Sequence, residues 1–130
     1  MSAAPHWLQE TLRAFGESLG LKTFALNAAG VAGLAFETGV TLRLEYAYEE
    51  LTVALSVPTR GEAESLKRLL GYAHPALQGA FTIRAALVQQ RSAALLAIRL
   101  AASEVTLPAL NGAFQTLWRL IEDFRHREAG

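Results

Sequence analysis

Three histidines, a single aspartate and a few glutamates are the residues of this chain best suited to acid–base or metal chemistry, and their spacing argues against both. His6, His74 and His126 lie far apart with no ligand spacing among them, so a zinc site would have to be assembled wholly by the fold. Exposed histidines at element ends are the plainer reading. Asp123 sits beside Glu122 among Arg119, Arg125 and Arg127, the pattern of paired charges on a solvated helix face. Glu45, Glu49 and Glu50 cluster where a hairpin should turn in water, whereas a carboxylate pair for proton transfer needs an apolar cleft. Gly30-Val31-Ala32-Gly33 has no following lysine and Ser/Thr pair and leads into a strand, so it is no phosphate loop. Ser18, Ser56, Ser65, Ser92 and Ser103 include no Gly-x-Ser-x-Gly elbow. Arg43, Arg84 and Arg99 are single charges in otherwise apolar or neutral strands, read as outward positions rather than a nucleic-acid stripe. These residues give an expectation of no catalytic residue, no metal and no cofactor.

What remains in surplus is apolar. Hydrophobic residues make up 52% of the 130, charged residues 18%, and there are 24 alanines, more apolar surface than three helices and one sheet easily hide. Length favours one domain over 1–130. Twelve basic residues balance twelve acidic ones, so no net field draws the chain to nucleic acid or to an anionic membrane. The absence of cysteine and of a basic-then-apolar leader before Trp7 gives a cytoplasmic expectation.

The elements that must position these residues follow from periodicity. Leu8, Leu12, Phe15 and Leu19 make a helical stripe, closed by Gly20. Phe24 and Leu26, then Val31 to Phe36, read as two strands of a hairpin turned by Asn27 to Gly30. Val40 to Tyr46 and Leu51 to Val57 alternate with period two and pair through Ala47 to Glu50. Thr59 and Glu62 have capping-box spacing before a helix bearing Leu66, Leu69 and Leu70, which His74-Pro75 breaks. Phe81 to Leu87 and Ala94 to Leu100 form a second hairpin. Thr106 caps a last helix carrying Leu110, Phe114, Leu117, Trp118, Ile121 and Phe124, with Phe114 and Trp118 as core anchors. The fold class is α+β, an antiparallel twisted sheet packed by three helices in the order α-β-β-β-β-α-β-β-α.

This order, with Leu12, Phe15, Leu19-Gly20-Leu21, Phe24, Leu26 and Gly30, resembles the class I type III secretion chaperones over almost the whole chain. The chain departs from that family in being neutral rather than acidic and in carrying Asn27 where an aspartate is frequent. The resemblance implies a chaperone that binds the amino-terminal segment of a secreted effector and keeps it soluble and secretion-competent. It also implies a homodimer, or a heterodimer with another small chaperone, with no nucleic acid, membrane or ATP. By the same resemblance the effector surface comprises Trp7, Phe15, Phe24, Leu26, Leu34 and Phe36, each of which also fits a buried stripe. The dimer contact comprises Leu66, Leu69, Leu70, Tyr72, Phe81 and Ile83. The alternatives are a binding or regulatory module of the same fold outside secretion, a structural subunit paired with a different partner, and a small-ligand protein or enzyme marked by a deep pocket.

Overall fold

The structure, a computed structural model, describes residues 4–74 and 81–129. Its elements are α1 (His6–Ser18), β1 (Val31–Ala35), β2 (Thr41–Ala47), β3 (Glu50–Pro58), α2 (Ala63–Tyr72), β4 (Ile83–Val88), β5 (Ala93–Ala101) and α3 (Leu107–Ala129). The strands form one antiparallel sheet in the order β1-β2-β3-β5-β4. The α+β arrangement read from the sequence is the one observed.

Period-two alternation decides which face of the sheet is covered. Leu42 and Leu44, Leu51, Val53, Leu55 and Val57, and Ala94, Leu96, Ile98 and Leu100 point inward. There they share one core with Leu8, Leu12 and Phe15 of α1, Leu69 of α2 and the spine of α3, Leu110, Leu117, Ile121 and Phe124. Burying each large apolar side chain contributes about 1.5–3 kcal/mol. The alternate residues, among them Thr41, Arg43, Glu45, Ala54, Ala97 and Arg99, occupy the opposite face.

The closure of α1 sets the path into the sheet. Gly20 takes a φ of 84°, Leu21 N–H donates to Gly16 O at 2.9 Å and Gly20 N–H to Glu17 O at 3.0 Å. Those two bonds are a Schellman motif, which explains Leu19-Gly20-Leu21 in physical terms. The chain then doubles back so closely over α1 that a Cβ on Gly16 would stand 2.3 Å from Phe24 Cβ.

Two local expectations are corrected. Phe24 to Leu26 belongs to no strand, and the backbone of Leu26 is satisfied by a side chain instead: Gln9 Nε2 donates to Leu26 O at 3.1 Å and Leu26 N–H donates to Gln9 Oε1 at 3.0 Å. Three strands, not four, therefore separate α1 from α2. The Thr59–Glu62 capping box does not form: Glu62 is the N-cap and makes no side-chain cap bond. The Thr59 hydroxyl instead donates to Glu128 Oε2 at 2.7 Å. At α3 the expected cap is present, with Ala109 N–H donating to Thr106 Oγ1 at 3.2 Å. α2 ends at Tyr72, and Pro75 lies outside the described residues.

Glycine to alanine inside a helix ordinarily stabilises by about 0.5–1 kcal/mol. At Gly16 the contact with Phe24 reverses the sign, and Gly16→Ala is expected to lose about 1–3 kcal/mol. Urea denaturation of the two proteins measures it.

Candidate functional site

Chemistry-bearing side chains are scattered. Among the described residues no three metal-capable groups converge. His6 lies 3.8 Å from Glu10 on α1 and His126 lies 3.5 Å from Glu122 on α3, while His74 is exposed just beyond α2. Glu45 pairs with Arg43 at 3.2 Å on the exposed sheet face. Arg127 Nε bonds both oxygens of Asp123, at 3.2 and 3.0 Å.

Asp123 and Glu128 instead clasp α3 to α2. The Tyr72 hydroxyl donates to Asp123 Oδ2. Burial and that bond push the hydroxyl above the ordinary tyrosine range, while the Tyr72 bond and Arg127 hold the Asp123 carboxyl below its usual value. Glu128 accepts from Ser65 in the first turn of α2 and from Thr59, and its carbonyl accepts from Arg60 at 2.7 Å. Partial burial opposes its ionisation, but the bonds from Ser65, Thr59 and the Arg60 backbone outweigh that and lower its pKa.

The described surface is distinctive at β1. Tyr46 N–H donates to Gly30 O, and Phe36 N–H to Val40 O, both at 2.8 Å. With the register Ala32↔Leu44 and Leu34↔Leu42, these bonds fix the even-numbered residues of β1 as the ones bonded to β2. Gly33 and Ala35 therefore turn their N–H and C=O groups outward. Val31 is already closed, since Asn27 N–H donates to its carbonyl at 2.9 Å and Asn27 Oδ1 accepts its N–H at 3.0 Å. Among the described residues, Gly33 and Ala35 remain as the free part of the β1 edge.

Beside this edge runs a row of aromatic rings. Phe24 meets Phe15 at 6.3 Å between centroids, Phe15 meets Phe114 at 5.7 Å, and Phe36 meets Phe114 at 6.2 Å and Trp118 at 5.0 Å. The tilted and edge-to-face geometries are those that ring quadrupoles favour. Phe15 is fully buried, Phe24 and Leu26 nearly so, while Leu34, Phe36, Phe114 and Trp118 are half-buried. The structure thus joins Phe15, Phe24 and Phe36 in one row, sets Leu34 next to it on β1, and places Trp7, 43% exposed, outside it. Phe114 and Trp118 belong to the row, although their helical spacing alone marked them as core. Their placement at i and i+4 on the helix that meets Phe36 is the signal that sequence reasoning left unused.

The second residue set also divides. Leu66 and Leu70 are 37% and 54% exposed on one face of α2, but Leu69 and Ile83 are 1% and 4% exposed. Tyr72 is engaged with Asp123. Phe81 is half-buried, and a Cβ on Gly112 of α3 would stand 3.2 Å from its Cζ.

This fold occurs in solved protein complexes. The chain superposes on one in the ExsC–ExsE complex with a TM-score of 0.79 and 19% identity, covering 94% of this chain and 93% of the other. For the HopA1–SchA chaperone–effector complex the values are 0.74, 16%, 92% and 94%. For the type III secretion chaperone SycH of Yersinia pestis in complex with a fragment of YscM2 they are 0.63, 20%, 89% and 95%. No curated protein matches the sequence. Residues 7–124 match the type III secretory system chaperone SycN family, and the chain belongs to that family of secretion chaperones.

Glu128 and Asp123 both have lowered folded-state pKa values, so the stability they add is present above the unfolded carboxylate pKa and is lost as pH falls through the folded values. Glu128→Ala is expected to cost about 1–2 kcal/mol at neutral pH, a difference that shrinks towards zero below about pH 4. Thermal melts of both proteins across that pH range measure it.

Proposed function

We propose that this secretion chaperone captures the amino-terminal segment of a secreted effector in the cytoplasm by adding it as a strand beside β1, without catalysis or a cofactor. The observation that carries the reading is the free edge at Gly33 and Ala35 lying against half-buried aromatics. Main-chain bonds to the edge give affinity for any extended segment, and alternate client side chains reach Leu34, Phe36 and Trp118. Phe15, Phe24 and Leu26 form the floor beneath them, and Trp7 extends the apolar surface along α1. Ordering a long segment costs about 2–5 kcal/mol or more, which a broad apolar row can offset.

Leu66 and Leu70 are the exposed pair of α2, and they support a homodimer through that helix, with a heterodimer through the same face as the variant form. Leu69, Tyr72, Phe81 and Ile83 then back the contact from within the subunit.

Co-expression with amino-terminal segments of secreted proteins, followed by size exclusion with light scattering, tests the reading. A mass near twice 14.0 kDa with a bound segment is expected, and a monomer that retains none overturns it. Ala35→Pro removes one outward amide at an edge position that tolerates proline, and is expected to weaken capture about tenfold with the fold intact. Leu66→Asp with Leu70→Asp is expected to halve the mass, because it places charges in a desolvated contact. An unchanged mass removes α2 from the interface.

A further inference from the structure

The face of the sheet turned away from the helices carries a built feature that edge capture leaves unused. Register places Gly33, Arg43, Ala54, Ala97 and Arg84 in a single row across all five strands. Arg99 stands in the next row, paired through Thr52 with Glu45. The centre of the row is small and the flanks are long, which leaves a depression of about 410 Å³ whose lining includes Arg43, Glu45, Arg84, Arg99 and Leu95 and whose floor is Ala54 and Ala97. Although no helix among the described residues covers them, Ala54 and Ala97 are only 6% and 7% exposed, because the flanking stems rise above them. Arg43 and Arg84 are three strand intervals apart, about 14 Å.

The charges at this rim do not balance. Arg43 has Glu45 as a partner at 3.2 Å, and among the described residues no carboxylate pairs with Arg84 or Arg99. Neutral as a whole, the chain therefore concentrates cationic charge on one open face. A guanidinium there has planar, bidentate capacity for carboxylates, and an alanine floor admits close approach of an apolar strip.

We propose that this trough docks an acidic segment of the client protein, whose carboxylates pair with Arg84 and Arg99 while small apolar side chains rest on Ala54 and Ala97. The inference rests on the chaperone reading for the identity of its partner. It adds a second contact, on the opposite face from the aromatic row, that selects clients by charge: edge pairing is indifferent to sequence, whereas repulsion of basic segments and attraction of acidic ones is discriminating.

The test uses the whole chain and three synthetic peptides of equal length with alanine and leucine on one side, carrying glutamate, glutamine or lysine on the other. Fluorescence anisotropy of the labelled peptides is expected to show the glutamate peptide bound about tenfold or more tightly than the glutamine one, with affinity falling as salt rises from about 50 to 300 mM. The lysine peptide is not expected to bind. Arg84→Glu with Arg99→Glu should abolish the preference, and Arg84→Gln with Arg99→Gln should reduce it, both with unchanged circular dichroism since the side chains are exposed. Equal binding of the glutamate and glutamine peptides, or an arginine-independent preference, overturns the proposal. So does tighter arginine-dependent binding of a labelled single-stranded oligonucleotide than of the glutamate peptide, which would make the trough a nucleic-acid surface. Effector capture measured in parallel separates the two readings. Capture that ignores both arginine variants, with no peptide preference, removes the trough and leaves the chaperone reading standing. A glutamate preference without effector capture removes the chaperone reading and keeps the acidic-segment site.

Discussion

The packing of α3 across the inner face of the sheet is the contact on which the rest of the molecule depends. Leu110, Ala113, Leu117, Ile121 and Phe124 are all buried along its length, and the helix packs against β3, β5, α1 and α2. It meets the sheet at β3 and β5, its middle supplies Phe114 and Trp118 to the aromatic row, and its end holds Asp123 and Glu128 against α2. Because a single helix does all three, the half-buried rings beside β1 are held by the same core that holds the sheet. Pre-formed apolar surface lowers the ordering cost that a client has to meet.

That arrangement also explains why the sheet is finished on one side only. Inward positions of β2, β3 and β5 are filled by leucine, isoleucine and valine with Tyr46 and Ala94, while the outward positions mix threonine, serine, alanine and arginine with Glu45 and Leu95. On the edge, Asn27 closes Val31 and stops there, so β1 ends in two unpaired residues rather than a full unprotected strand.

Much of this was legible in the residues. Strict alternation identified β2 and β3 and their antiparallel pairing, Gly20 marked the end of α1, and the stripe of α3 was read along its full length. The departures share a physical origin: local patterns state which residues lie on one side of an element but not what that side meets. Leu66, Leu69 and Leu70 form one run by spacing, yet only Leu69 reaches the core. Phe24 and Leu26 alternate like a strand, but Gln9, 17 positions before Leu26, supplies the partner a neighbouring strand would have supplied. Thr59 and Glu62 match a capping box, but Glu128, 69 positions after Thr59, takes the hydroxyl. Arg43, Arg84 and Arg99 were read correctly as outward. Their alignment into a rimmed trough depends on register between four strands, which no single segment encodes.

The central claim is that the free edge of β1 receives the client. Amide hydrogen exchange resolved to single residues, on the chaperone with and without a bound effector segment, measures it most directly. The account predicts that Gly33 and Ala35 amides pass from fast exchange to strong protection when the client binds, because each then donates to a new strand. Client binding that leaves both amides exchanging freely, with protection appearing elsewhere, would contradict it.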